Sequence, residues 1–257
     1  MFHSGCPPMA RSRVVIVTGG ARGIGRAIAQ RFLEDGSQVV VCGRTAPEGG
    51  GDALFVQADV REPDAAERVV RVALERFGRL DVLVNNAGGS PFADAATASP
   101  RFSAAIVALN LLAPLGFAQR ANAVMQAQEE GGAIVNVASV SGTRASPGTA
   151  AYGAAKAGLL NLTQSLAVEW APRVRVNAVT PGLVHTEQSH LHYGDAVGLA
   201  AVSATVPLGR MAEPIDVAEA CFFLTSPAAR YVTGASLLVH GGGERPAFLA
   251  AATAKRG

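Results

Sequence analysis

Several features that mark specialised classes of protein are scarce in this chain of 257 residues. Its three cysteines (Cys6, Cys42 and Cys221) are too few and too scattered for a disulfide framework or a CxxC pair, which favours a reducing, cytoplasmic compartment. A formal net charge of +2 gives no basic field for nucleic acid or an anionic membrane. No uninterrupted apolar run approaches the ~18 residues of a membrane helix. The first 13 residues contain no apolar segment of the secretory type, and translation from Met9 is as compatible with the sequence as translation from Met1.

What is present is an alternation of apolar runs and helical segments. Apolar residues make up 49% of the chain, which excludes disorder. The short apolar runs are continuous and bounded by turn residues, which is typical of strands buried on both faces of a parallel sheet. They are Val14–Val17, Val39–Cys42, Leu54–Val56, Val82–Val84, Ile134–Val137, Val174–Val179 and Leu237–Val239. The fold class that this predicts is α/β: a single-domain, Rossmann-like, doubly wound parallel sheet of about seven strands with helices on both faces.

The segments between the strands predict helices and one exception. Helical spacing indicates long helices over about 101–128, 150–170 and 214–224, after two shorter ones that end near Gly36 and Gly78. Only about ten residues, Thr45–Ala53, join the second and third strands, and three of them are consecutive glycines. A parallel connection normally takes a dozen or more residues with a helix. We therefore expect a bare loop at this crossover, a flexible segment at residues 1–12, and a C-terminal arm at 244–257.

A glycine-rich turn follows the first strand. Thr18–Gly25 reads T-G-G-A-R-G-I-G, and glycines there let backbone N–H groups approach a pyrophosphate at a helix N-terminus. A tight turn without any ligand is the alternative. The second strand ends in Arg44 rather than in the Asp or Glu that binds an NAD ribose, so Arg44 and Arg22 favour the 2′-phosphate of NADP(H). NAD(H) stays open if both arginines are simply solvated.

A second constellation indicates proton chemistry. Tyr152 and Lys156 are four residues apart in a helical segment and therefore share one face. An ammonium close to a phenol favours the phenolate, so we expect Lys156 to lower the Tyr152 pKa toward the working range. Ser139 follows the fifth strand at the edge where parallel strands open toward a ligand. Pro114 lacks an N–H, so the carbonyl of Asn110 loses its helical partner and becomes a water site, unless the proline only bends the helix around the core.

In combination, these residues resemble the short-chain dehydrogenases/reductases. The resemblance runs almost end to end, in the order T-G-x-x-x-G-I-G, A-D-V at Ala58–Val60, N-N-A-G at Asn85–Gly88, Asn110, Ser139, Y-x-x-x-K, R-V-N-A-V-x-P-G at Arg175–Gly182, P-L-G-R-M at Pro207–Met211 and Y-V-T-G at Tyr231–Gly234. The resemblance implies a Rossmann-like domain over 1–257, a nicotinamide cofactor, a substrate lid at 186–206 and a homotetramer.

The resemblance also implies roles for individual residues. The catalytic set is Asn110, Ser139, Tyr152 and Lys156, with Tyr152 as general acid or base, Ser139 bonded to the substrate oxygen and Asn110 holding a water next to Lys156. The cofactor-binding set is Gly19, Arg22, Gly23, Ile24, Gly25, Arg44, Asp59, Val60, Asn86, Ala87, Gly88, Tyr152, Lys156, Pro181, Gly182, Val184 and Thr186. His240 stands where the family usually has Asp, which leaves that contact open.

The histidines of the loop after the sixth strand have two interpretations. His190 and His192 have a spacing that zinc accepts, and His185 and Glu187 lie close in sequence. The same stretch matches the lid, where polar residues line or cover a pocket, and this is the interpretation we favour, with no metal. Leu191, Tyr193 and Leu199 in that lid suggest an apolar substrate.

The function predicted from the sequence is NADP(H)-dependent interconversion of a ketone and a secondary alcohol by hydride transfer. The partner is a small-molecule carbonyl or alcohol, with no nucleic acid and no membrane. A 3-oxoacyl-thioester reductase and an NAD-dependent alcohol dehydrogenase are the enzymatic alternatives. A cofactor-sensing module without turnover is the alternative from another class.

Overall fold

A computed structural model describes residues 12–47, 49–247 and 251. The alternative start at Met9, the expected flexibility of residues 1–11, Cys6 and most of the arm beyond residue 247 lie outside the described residues. Within them, seven parallel strands form one sheet in the order β3-β2-β1-β4-β5-β6-β7. The strands are β1 Val14–Thr18, β2 Gln38–Gly43, β3 Leu54–Gln57, β4 Val82–Asn85, β5 Gly132–Val137, β6 Val174–Pro181 and β7 Ser236–Val239.

The helices cover both faces of this sheet. They are α1 Gly23–Glu34, α2 Ala65–Phe77, α3 Pro100–Val107, α4 Ala113–Ala127, α5 Ala150–Trp170, α6 His190–Tyr193, α7 Ala196–Thr205 and α8 Pro214–Thr225. The doubly wound α/β fold expected from the sequence is confirmed. So is the bare crossover, because the described residues between β2 and β3 contain no helix.

The core consists of two layers, one on each side of the sheet. Strand β1 shows the division, because Val14 and Ile16 enter the layer under α2, α4 and α5, whereas Val15 and Val17 enter the layer under α1 and α8. Alternate side chains of a strand point to opposite faces, so a strand covered on both sides is largely apolar. This is why most strand residues are apolar, and the buried Thr18, Asn85 and Asn136 stand at or next to the carboxyl ends of β1, β4 and β5.

The long helical stretch before β5 changes its pitch in the middle. Residues Ala108–Leu112 form a π-helical turn between α3 and α4, and the N–H of Ala113 donates to the carbonyl of Ala108, five residues back. Pro114, at the start of α4, cannot donate to an ordinary α-helical bond. The irregularity expected near Asn110 therefore takes the form of a π-turn, a feature frequent at functional sites.

The same stretch, Pro100–Ala127, is the one helix among the described residues that is long and apolar enough to cross a membrane by length and composition. It contributes Phe117, Ala118, Ala121 and Met125 to the core below the sheet. Packing against the sheet accounts for the apolar character of that face.

Candidate active site

The candidate site lies at the carboxyl ends of the strands, where the strand order reverses. Strand β1 has β2 on one side and β4 on the other, and ligands of doubly wound sheets bind in the crevice at such a switch point. The glycine turn follows β1 there and leads into α1. A Cβ atom on Gly25 would lie 2.2 Å from the carbonyl oxygen of Gly19, so only glycine lets the helix start this close to the turn.

The segment after β4 is tied to this turn. The hydroxyl of Thr18 accepts hydrogen bonds from the backbone N–H groups of Asn86 and Ala87, both at 3.0 Å. The side-chain amide of Asn86 donates to the carbonyl of Thr18 at 2.9 Å. Two loops that the sequence assigned to cofactor binding are thus held side by side.

Gly88 links this cofactor side to the catalytic side. A Cβ atom placed on Gly88 would meet Oδ1 of Asn110 at 2.8 Å and Nζ of Lys156 at 3.3 Å. Asn110 is fully buried, and its side chain accepts from the N–H of Gly89 at 2.9 Å and donates to the carbonyl of Ile106 at 2.9 Å. The π-turn therefore presents Asn110 to the loop after β4 and brings it near Lys156, as the sequence predicted.

Helix α5 carries Tyr152 and Lys156 to the same edge. The helix begins two residues before Tyr152, and the turn that carries Ser139 packs against its first turns. A Cβ atom on Gly142 would lie 2.7 Å from the backbone of Lys156, so this glycine permits the close approach. Nζ of Lys156 lies 5.6 Å from the centre of the Tyr152 ring, which places the two side chains on one face of the helix.

The pKa values at this site are set mainly by burial. Burial raises the pKa of Tyr152, and hydrogen bonding to Ser139 offsets only part of that rise. Lys156 is only 3% exposed and donates to the carbonyl of Val137 at 2.7 Å, and burial lowers its pKa to about 8. The pKa of Tyr152 is therefore raised, whereas its spacing to Lys156 predicted a lowered pKa. The reason is that an unpaired, buried ammonium is itself disfavoured and does not outweigh the cost of burying a phenolate.

A contact that the sequence did not reveal lies at the N-terminus of α1. The backbone N–H of Gly23 donates to the carboxylate of Glu187 at 3.0 Å, across 164 residues of chain. A helix N-terminus attracts anions, so this carboxylate occupies a position suited to phosphate. The glycine turn, with the Glu187 carboxylate bound at its N–H group, therefore fits the pyrophosphate of a dinucleotide.

The adenosine side of the proposed cofactor carries several charges. Arg22, which precedes α1, and Arg44, which follows β2, are both exposed, and this exposure is compatible with phosphate binding as well as with simple solvation. Asp59 accepts from Nε of Arg61 at 2.9 Å, and this partner lowers the pKa of Asp59 to about 2. Asp59 is therefore ionised and partly engaged, with Val60 next to it packing against the core.

The remaining predicted cofactor residues lie after β6. Pro181 ends that strand, Gly182 lies next to His240, and Val184 bridges to Ala212. Thr186 approaches the glycine turn, because a Cβ atom on Gly23 would lie 3.9 Å from its methyl group. The predicted cofactor-binding segments thus reach the same crevice from β1, β4 and β6.

The histidines of this loop point to different partners. Nδ1 of His185 lies 3.7 Å from the Glu213 carboxylate, and Nδ1 of His190 lies 3.0 Å from the carbonyl of Glu187. Among the residues that the structure describes, no three metal-binding side chains are grouped closely enough to hold an ion. A surface cavity of about 380 Å³, lined by His185, Glu187 and Glu213 among others, opens beside them.

The fold and the switch-point crevice are typical of dinucleotide-binding α/β proteins, and Ser139, Tyr152 and Lys156 lie together at this crevice. A family model described as enoyl-(acyl carrier protein) reductase matches residues 19–244. An L-rhamnose 1-dehydrogenase (NAD(P)(+)) from Azotobacter vinelandii is 40% identical, with 90% of this chain and 96% of the relative covered. A putative ketoacyl reductase of the granaticin polyketide synthase from Streptomyces violaceoruber is 41% identical, with 89% and 95% covered.

The solved structures include a similar chain. Ligand-free aldohexose dehydrogenase from Thermoplasma acidophilum superimposes with a TM-score of 0.86 at 32% identity, with 90% of this chain and 94% of that chain covered. The chain described here belongs to the short-chain dehydrogenase/reductase family and is an oxidoreductase that acts on CH–OH groups. The alternative of a module without enzymatic activity is not supported.

Proposed function

We propose that the protein interconverts a ketone and a secondary alcohol with NADP(H), and that Tyr152 acts as the general acid or base. The observation that carries the proposal is the convergence of Tyr152, Ser139 and Lys156 at the carboxyl edge of the sheet, beside the glycine turn. The sequence resemblance implied the same roles.

A bound nicotinamide supplies or accepts the hydride at the reacting carbon. In the reductive direction Tyr152 donates its hydroxyl proton to the carbonyl oxygen, and in the oxidative direction it takes the proton from the alcohol. Burial raises the pKa of Tyr152, which keeps its hydroxyl protonated and able to act as an acid. Ser139 orients the same oxygen, while Lys156 and Asn110 hold the polar route along which the proton is replaced.

The proposed cofactor contacts follow the crevice. Backbone groups of the glycine turn would hold the pyrophosphate, Asp59 and Val60 would flank the adenine, and the segment Asn86–Gly88 would contact the adenosine side. The residues after β6, which are Pro181, Gly182, Val184 and Thr186, would hold the nicotinamide end. The segment 186–206, with α6 and α7, covers the substrate as a lid.

The general acid role is tested with Tyr152→Phe, measured with a panel of model ketones and NADPH. Loss of a positioned acid costs about 10²- to 10⁴-fold in rate, and we expect kcat to fall in this range while NADPH still binds. Tyr231→Phe is the matched control, because Tyr231 is fully exposed and far along the chain from the site. Equal rates for Tyr152→Phe and the unaltered protein would contradict the role.

The cofactor preference is tested by fluorescence titration with NADPH and NADH. We expect NADPH to bind at least about tenfold more tightly, or about 1.4 kcal/mol, and Arg44→Ala to lose that preference. Arg76→Ala, which changes an arginine in the last turn of α2, is the control. A preference for NADH would make this an NAD-dependent alcohol dehydrogenase, as the name of the rhamnose dehydrogenase also allows. A preference for NADPH that Arg44→Ala leaves unchanged would show that Arg44 does not bind the 2′-phosphate.

A 3-oxoacyl thioester is the second candidate substrate, because of the likeness to a ketoacyl reductase. Reduction of a short 3-oxoacyl thioester with a higher kcat/KM than that of any simple ketone would support it. We further propose that the protein is cytoplasmic, on the ground of its few and scattered cysteines, and that it forms the homotetramer that the family resemblance implies. Exposed apolar side chains such as Val168 on α5 and Leu238 on the edge strand β7 support an assembly.

A further inference from the structure

We propose that Arg144 and Glu244 recognise neighbouring hydroxyl groups of an uncharged substrate at the rim of the active site. The inference deepens the proposed function and rests on it, because it concerns the substrate whose carbonyl or alcohol group reacts at Tyr152. It names a substrate class, a polyhydroxylated alcohol or ketone.

The two residues form an ion pair between segments far apart in sequence. Nη2 of Arg144 lies 2.6 Å from Oε1 of Glu244, across 100 residues. Arg144 lies in the loop between Ser139 and Tyr152, where its N–H donates to the carbonyl of Val140. Both side chains keep considerable exposure, 44% for Arg144 and 31% for Glu244. The pair is therefore accessible and not part of the core.

The segment that carries Glu244 is fixed to the end of the lid. The N–H of Arg245 donates to the carbonyl of Thr205, the last residue of α7, at 2.9 Å. The N–H of Leu208 donates to the carbonyl of Gly241 at 3.1 Å. The ion pair thus joins the segment that is tied to the end of the lid with the loop between Ser139 and Tyr152.

The charges of the pair influence Tyr193, at the end of α6 in the lid. The pKa of Tyr193 is raised mainly by burial, with smaller effects of Glu244, which raises it, and Arg144, which lowers it. Tyr193 in turn contributes to the raised pKa of Tyr152.

The chemistry of the pair matches hydroxyl groups. A guanidinium offers five N–H donors and a carboxylate about four acceptor positions, and the bond between them uses one of each. A hydroxyl both donates and accepts, so one hydroxyl can donate to Glu244 while its neighbour accepts from Arg144, in charge-assisted bonds. An anionic group would have to compete with Glu244 for Arg144, and an alkyl ketone offers nothing that repays the desolvation of the pair. The apolar lid residues alone suggested an apolar substrate, and this pair changes that expectation.

The test compares two probes that differ by one hydroxyl group, cis-1,2-cyclohexanediol and cyclohexanol, oxidised with NADP⁺ and NAD⁺. We expect the unaltered protein to have the higher kcat/KM for the diol. Glu244→Gln and Arg144→Ala should each lower the diol-to-cyclohexanol ratio of kcat/KM by about tenfold, equivalent to about 1.4 kcal/mol, through the KM of the diol. The value for cyclohexanol should change less than about twofold.

Glu219→Gln is the matched control, because it breaks a comparable ion pair, with Nε of Arg31 at 2.7 Å, between α1 and α8. A parallel loss with both probes, or no change in the ratio, would show that the pair only fastens the chain and would overturn the inference. A preference of the unaltered protein for cyclohexanol would also overturn the inference, but it would not affect the proposed function. Absence of turnover with either probe, while cofactor binds, would overturn both the inference and the proposed function. Thermal unfolding of each variant separates a local effect from loss of the fold.

Discussion

At the residue scale, Lys156 shows how the site combines burial with chemistry. Its ammonium donates to the Val137 carbonyl and has no carboxylate partner among the described residues, so burial is not compensated and the pKa falls to about 8. Near that pH the residue exists in both protonation states. A side chain that changes charge close to neutrality, next to Tyr152 and Asn110, suits the replacement of a proton.

Glu187 is the residue with the clearest consequence for cofactor binding. Its carboxylate occupies the N-terminus of α1, where an anion contributes about 0.3–1 kcal/mol. We expect Glu187→Gln to lower the Kd for NADPH about two- to fivefold, because the pyrophosphate no longer displaces a charged carboxylate. Fluorescence titration measures the change.

The control for this prediction is Glu213→Gln. Glu213 lines the same surface cavity, and its carboxylate lies 3.7 Å from Nδ1 of His185 and not at the N–H of Gly23. An unchanged or higher Kd for Glu187→Gln would show that the carboxylate does not compete with the cofactor.

At the element scale, the π-turn between α3 and α4 decides where Asn110 lies. Residues Ala108–Leu112 take the wider turn, and Pro114 provides no N–H that would restore α-helical bonding to the Asn110 carbonyl. The side chain of Asn110 is then held by the backbone of Gly89 and Ile106. The π-turn thus places the Asn110 side chain at the edge of the sheet, and the helix continues beyond it.

Replacement of the proline tests this arrangement. Pro114→Ala restores an N–H, and we expect the protein to fold while proton delivery to Tyr152 slows and the pH–rate profile shifts. Circular dichroism and thermal unfolding check the fold, and kcat measured across pH checks the proton step. Pro227→Ala, in a short helical turn after α8, is the control. A profile identical to that of the unaltered protein would mean that the π-turn only shapes the helix.

At the scale of the whole molecule, the edge strand β7 and helix α5 carry exposed apolar side chains that are available for assembly. Strand β7 is an edge strand with Leu238 half-exposed, and Val168 on α5 is 81% exposed. Apolar side chains in such positions are typical of surfaces that become buried in oligomers.

We expect the protein to sediment as a species of four times the 26.2 kDa of one chain. Val168→Glu and Leu238→Glu, each introducing a charge into one surface, should both give smaller species. Glu169→Gln, next to Val168 on the same helix, should not. A monomer in the unaltered protein, or a tetramer that withstands both charges, would contradict the proposed assembly.

The strands, the main helices and the order of the functional motifs along the chain were predictable from the amino-acid sequence. The helix Ala150–Trp170 and the strand Val14–Thr18 follow from local patterns of apolar residues and glycines, and those patterns depend on neighbours in the chain. The sequence also predicted that the cofactor-binding residues after β1, β4 and β6 lie close together, because parallel strands place their carboxyl ends at one edge of the sheet.

Which residues far apart in sequence come into contact, and which protonation states they favour, depends on the tertiary structure. Glu187 reaches Gly23 across 164 residues, and Glu244 reaches Arg144 across 100. No local pattern specifies such pairs, since they depend on how loops from different strands pack at the sheet edge. The Tyr152 pKa likewise depends on tertiary packing. Its spacing to Lys156 predicts a lower value, whereas the burial that packing imposes on both side chains raises it.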